Sequence, residues 1–163
     1  MRRLIRSLPL VAALALLGAC QTPHQFAAPT ASWKTYVGQL QCVTGDRSVI
    51  GDVVVRHEAP NQFQLSYSSG PGFPLLKLWT AQDTVRAEGT FARGAWQGSK
   101  NAAPERLRIW TVLPEIFAAA SPTRQNVQAG GCSADAQFQG GRLARLQVRD
   151  AKSGERLVFV FNR

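Results

Sequence analysis

Residues 63–91 read FQLSYSSGPGFPLLKLWTAQDTVRAEGTF, and their patterning decides the fold class. Phe63, Leu65 and Tyr67 alternate with Gln64, Ser66 and Ser68, the period of two that gives a strand one core face and one solvent face. Ser69-Gly70-Pro71-Gly72 breaks the chain, Leu75 to Thr80 resumes it as a strand, and Gln82-Asp83 turns it. Val85, Ala87, Gly89 and Phe91 then share one face, while Thr84, Arg86, Glu88 and Thr90 share the other. Strands that follow one another through turns, with no βαβ alternation, exclude a parallel α/β sheet.

The same pattern extends both ways. Toward the N-terminus, Val49, Gly51, Val53, Val55 and His57 form one face of a strand that Ala59-Pro60-Asn61 ends. Trp33, Thr35, Val37, Leu40 and Cys42 predict the first strand, with a kink at Gly38. Toward the C-terminus, residues 92–103 (ARGAWQGSKNAA) read as a polar loop whose one aromatic, Trp96, is a lid or a plug. Pro104 suits a first helical position, and Leu107, Trp110, Leu113 and Phe117 have helical spacing. Pro114 lacks a donor and clashes with a preceding turn, which predicts two short helices or one kinked helix. Residues 127–138 are weakly patterned. Ala144, Leu146 and Val148 alternate with Arg145, Gln147 and Arg149, Lys152-Ser153-Gly154 turns, and Leu157 to Phe161 form a buried last strand. The expected fold is mainly β (α+β): five antiparallel strands, a helical segment and three more strands. They would form a curved sheet or incomplete β-barrel in one domain, 33–163, with the helical segment covering the concave side.

The first residues carry a different message. Arg2-Arg3-Leu4-Ile5-Arg6, an apolar run from Leu8 and Leu17-Gly18-Ala19-Cys20 make a basic, apolar and small-residue succession: a signal peptide over 1–19. The run from Leu8 to Ala19 is twelve residues and contains Pro9, whereas a spanning helix needs about 20. Ending in Cys20, the site resembles a bacterial lipobox, which implies a covalent lipid (palmitate-type acylation) on Cys20 and no other cofactor. Several acyl chains together anchor a protein stably. Residues 20–32 suit a flexible tether, and Gln21 in place of Asp, by resemblance to sorted bacterial lipoproteins, implies an outer-membrane location, lipid-anchored on the periplasmic face.

Composition removes other function classes. The formal charge of +9 includes Arg2, Arg3 and Arg6, so the chain from Cys20 carries +6, scattered without a run of like charges. No aromatic–basic platform of the kind that binds nucleic acid is present. His57 is the only histidine of the expected domain, has no Gly-x-Ser-x-Gly elbow to serve, and reads as a satisfied or exposed strand residue. No metal spacing and no paired carboxylates stand out, so a non-enzymatic, monomeric protein is expected. Cys42 and Cys132 are an even pair. A disulfide between them would close a loop of about 90 residues and contribute up to about 4 kcal/mol; two buried free thiols are the alternative.

With Leu76-Lys77-Leu78 and Val85-Arg86-Ala87-Glu88, the Gly70-Pro71-Gly72 turn in residues 63–91 resembles a segment of outer-membrane lipoprotein receptors of the LolB type. The stretch from Ala103-Pro104 to Pro114 is similar to that family's inserted helix. The resemblance implies an incomplete barrel with a helical lid over a hydrophobic cavity. It also implies an activity, the acceptance of another lipoprotein's acyl chains from a periplasmic carrier. The family's apolar loop residue, which helps insert cargo into the membrane, falls at Phe73. A cavity lined by Phe63, Leu65, Leu76, Leu78, Val85, Ala87, Trp110, Phe159 and Phe161 would suit acyl chains at about 0.8 kcal/mol per buried methylene. The same residues equally describe a filled core. An open hollow under the helix supports lipid binding, and a close-packed interior rules it out in favour of the alternative, a structural or accessory lipoprotein acting as a protein-binding module.

Overall fold

The computed structural model describes residues 26–58, 62–70 and 72–162. The signal peptide, Cys20 and the first part of the tether lie outside these residues, as do Ala59-Pro60-Asn61 and Pro71. Ten strands are present among the described residues: β1 (Lys34–Thr44), β2 (Arg47–Glu58), β3 (Gln62–Ser68), β4 (Pro74–Ala81), β5 (Thr84–Gly89), β6 (Gly94–Ser99), β7 (Asn126–Ala129), β8 (Cys132–Gln139), β9 (Arg142–Asp150) and β10 (Arg156–Phe161). They form one antiparallel sheet in the order β6-β5-β4-β3-β2-β1-β10-β9-β8-β7. Two of these strands were not expected. β6 lies where a polar loop was read, and it is carried by full pairing with β5 from Thr84↔Ser99 to Gly89↔Gly94 rather than by apolar alternation. β7 is a four-residue strand paired to β8.

The order has a consequence. β10 pairs with β1, so the two ends of the domain meet in the middle of the sheet, and the free edges β6 and β7 belong to the middle of the chain. The segment joining those edges contains 3₁₀ turns at Lys100–Ala102 and Glu105–Leu107, then helices α1 (Arg108–Thr111) and α2 (Leu113–Ala119). Pro104 sits extended before the second turn, and Pro114 falls in the first turn of α2, where a missing N–H leaves no intrahelical partner wanting. The two short helices read from Pro114 are therefore present. Edges β6 and β7 do not pair with each other, so the sheet is curved and open. No described helix is long and apolar enough to cross a membrane.

The helical segment supplies Leu107, Ile109, Trp110, Leu113, Ile116 and Phe117 to one core with the inward residues of the sheet. Gly38, read as a kink, instead lies within an unbroken β1. A Cβ there would stand 2.1 Å from the Val160 carbonyl oxygen, so glycine lets β1 and β10 approach closely. The tether is partly bound: Gln64 Nε2 donates to the Ala27 carbonyl at 3.0 Å, Ser32 Oγ donates to Glu58 Oε1 at 2.6 Å, and Trp33 is buried.

Candidate functional site

Strand register creates an opening at the end of the sheet where β1 starts. β9 and β10 pair from Arg156↔Arg149 only as far as Val160↔Arg145. Beyond that point Phe161 stays with β1 opposite Gly38, and the Asn162 N–H donates to the Val37 carbonyl at 2.8 Å. The start of β9 stays with β8, through Phe138↔Leu143 and Gln139↔Arg142. The sheet therefore splits, leaving a groove of about 980 Å³ whose walls include Tyr36, Val37, Leu143, Val160 and Phe161.

A β-bulge shapes the rim. Gln137 pairs with Arg145 and the next residue, Phe138, pairs with Leu143, so Ala144 has no partner on β8. Leu143 and Leu146 are both buried, and Arg142 and Arg145 are both exposed. The extra residue interrupts the period of two, as bulges do where they re-aim side chains. The expected alternation through Ala144 fails for this reason, and Leu143 takes the inward position instead.

Behind the groove lies an aromatic layer. Tyr36 packs against Phe161 with ring centroids 5.2 Å apart and stacks on His57 at 5.8 Å. Phe117 of α2 closes the layer, touching Phe63 at 5.6 Å, Phe159 at 5.8 Å and Phe161 at 6.1 Å. His57 is 4% exposed, and neither ring nitrogen has a hydrogen-bond partner. Burial, with the nearby charge of Lys34, pushes its pKa down to about 4, so the ring is neutral at pH 7. It is neither the exposed nor the satisfied strand histidine that its context suggests. Thr80 Oγ1, also buried, has no partner either, and the register His57↔Phe63 and Phe63↔Thr80 puts all three in one row. Unsatisfied buried polar groups cost about 1–3 kcal/mol each.

The residues expected to line a hollow between sheet and helix are shut off from solvent. Phe63, Leu65, Leu76, Leu78, Val85, Ala87, Trp110, Phe159 and Phe161 are all brought together in one buried hydrophobic cluster. Trp110 plugs the concave side against Tyr67 and Phe91 at 6.1 and 5.6 Å. Trp96, on β6, is half-buried against the same core. Beside Lys100 and Glu115, which pair across it, a separate polar pocket of about 420 Å³ is lined by Thr80, Asp83 and Thr111.

The opposite end of the sheet carries Phe73, 74% exposed on the β3–β4 loop. It also carries the cysteines, and the even pair is not bonded: Cys42 and Cys132 are buried free thiols. Cys42 lies two residues before the end of β1 and Cys132 begins β8, with β10 and β9 between the two strands. Burial, reinforced by Glu155, pushes the Cys42 thiol up to about 12, and burial with Asp150 pushes Cys132 up to about 11. Glu155 accepts from Thr44 Oγ1 at 3.1 Å, and burial raises its carboxyl above the usual range. For Asp150 burial acts upward, but bonds from Arg108 Nε at 2.8 Å and from the Lys152 and Ser153 N–H groups hold it below the usual range. No group of three or more His, Cys, Asp or Glu among the described residues is placed to hold a metal ion.

The sequence matches no protein-family model and no curated protein. Among solved structures, the chain is similar to the LolA superfamily protein NE2245 from Nitrosomonas europaea. The two share 9% sequence identity with a TM-score of 0.48, over 85% of this chain and 87% of that one.

Proposed function

We propose that the protein is a non-enzymatic, lipid-anchored protein of the periplasmic face of the outer membrane that binds or hands on acyl chains. The single observation that carries this reading is the groove between β9 and β10, which leads from solvent to the Tyr36–Phe161 aromatic layer. The LolB-type resemblance of residues 63–91 supports the acyl-chain part of this reading, though it implies a cavity under the helical lid rather than this groove; by that resemblance Phe73 would meet the bilayer and the cargo would be another lipoprotein. Because Phe117 of α2 closes the aromatic layer behind the groove, a chain entering there is accommodated by displacing Phe117 and α2. Methylenes then replace aromatic contacts on the same side chains, an exchange of one apolar surface for another.

Native mass spectrometry of the full-length Cys20→Ala protein recovered from a periplasm tests this. Co-purifying lipid or an acylated protein is the expected result. A ligand-free protein that also fails to take up a fluorescent fatty acid refutes it. Palmitate labelling present in the parent and absent from Cys20→Ala checks the anchor. One observation favours the second reading, a protein-binding module: Phe73 stands free on its loop, remote from the groove. Loss of a protein partner in Phe73→Asp, with no lipid uptake by the parent, would decide for it.

A further inference from the structure

We propose that the groove between β9 and β10 is selective for a single acyl chain ending in a carboxylate, a free fatty acid, held at the rim by Arg142 and Arg145. The inference rests on the acyl-binding reading and names a free fatty acid as the ligand of that site in place of another lipoprotein, whose ester- and amide-linked chains carry no carboxylate. Its first support is charge. Arg142 and Arg145 both line the groove, neither forms an ion pair among the described residues, and no Asp or Glu is among the described residues lining it. Two unpaired guanidiniums beside an apolar wall are complementary to an anion with an apolar tail.

The second support is the bulge. Without the extra residue at Ala144, strand alternation would put positions 142 and 145 on opposite faces of β9. The bulge exposes both arginines while Leu143 turns inward. Arg142 also lies close enough to the Tyr36 hydroxyl to oppose the upward effect of burial on that phenol. The cationic rim is thus continuous with the apolar wall. The third support is the volume, about 980 Å³, which is at the upper end of what small-molecule sites use. A chain laid along Leu143, Phe161 and Tyr36 reaches the layer in which His57 is buried with both ring nitrogens unpartnered.

The test compares two probes on the purified protein: palmitate with a terminal fluorophore, and the methyl ester of the same molecule. The acid is expected to bind more tightly than the ester at pH 7, on the order of tenfold for two rim cations. Replacing both arginines by glutamine (R142Q/R145Q) should abolish the difference and leave ester binding unchanged, whereas R142K/R145K should largely keep it. R124Q/R149Q removes the same charge from exposed arginines outside the groove and should behave as the parent. Equal binding of acid and ester by the parent overturns the proposal and leaves acyl binding standing. A preference that survives R142Q/R145Q, or is lost equally in R124Q/R149Q, also overturns it. Binding of neither probe overturns both readings.

Discussion

Phe117→Ala should weaken the fold and strengthen acyl binding at once. Phe117 is 4% exposed, and its ring lies within 6.1 Å of the rings of Tyr36, His57, Phe63, Phe159 and Phe161. Truncating a buried phenylalanine to alanine costs about 3–5 kcal/mol, the transfer free energy plus the cavity left behind. The upper half of that range applies here, because the sheet side of the cavity is five rings fixed by strand pairing and cannot collapse inward. For a domain of this size each kcal/mol moves the melting temperature by roughly 2–4 °C, so a fall of roughly 10 °C or more is expected. Urea denaturation should show a lower midpoint with an unchanged slope, since the surface exposed on unfolding scarcely changes. The cavity opens directly behind Tyr36 and Phe161, so affinity for a fluorescent fatty acid should rise. A stability loss below about 1 kcal/mol would refute the packing of the layer. A normal loss accompanied by weaker fatty-acid binding would refute displacement, and would make Phe117 part of the binding surface.

Three further expectations concern single residues elsewhere in the sheet and its loops. His57 has a folded pKa near 4 and an ordinary value of 6.5, so the unfolded chain binds the extra proton between those pH values. Its contribution is complete above pH 6.5 and lost as pH falls toward 4, an effect of about 2–3 kcal/mol; His57→Phe should flatten thermal stability over that window. Gly38→Ala places a methyl group 2.1 Å from the Val160 carbonyl oxygen and should destabilise by about 2–3 kcal/mol in urea, where a neutral result would deny the close approach of β1 and β10. Phe73→Asp, on an exposed loop, should leave stability within about 0.5 kcal/mol while reducing vesicle association in a co-sedimentation assay.

Much of the sheet is legible in the sequence where large apolar residues alternate with polar ones, as in Phe63, Leu65 and Tyr67. β8 has the same burial alternation, but at Cys132, Ala134 and Ala136, side chains too small to announce a core face. β6 has no such face to show: Gly94–Ser99 is an edge strand held by backbone pairing to β5, a contribution that no side-chain pattern records. The groove is illegible for a related reason, since it depends on where β9 and β10 cease to pair. One trace of it is present, the three-residue spacing from Leu143 to Leu146, which a strict strand cannot satisfy without a bulge. The interior is open to either reading in the sequence because the same apolar residues line a hollow or a core. The structure adds that Trp110, Leu113, Ile116 and Phe117 of the helical segment join the same buried cluster.

The central position of β10 bears on when this protein can fold. Pairs such as Gly38↔Phe161 and Val43↔Arg156 join positions more than a hundred residues apart. Loop-closure entropy must be met before such pairing is rewarded, which slows folding in proteins rich in distant contacts. Until Arg156–Phe161 are available, the six-strand and three-strand portions of the sheet have no strand between them. A chain emerging through a narrow channel N-terminus first would stay without its central strand until its final residues arrived. Truncation of those last residues would divide the sheet in two, where the loss of β6 or β7 would only trim a border.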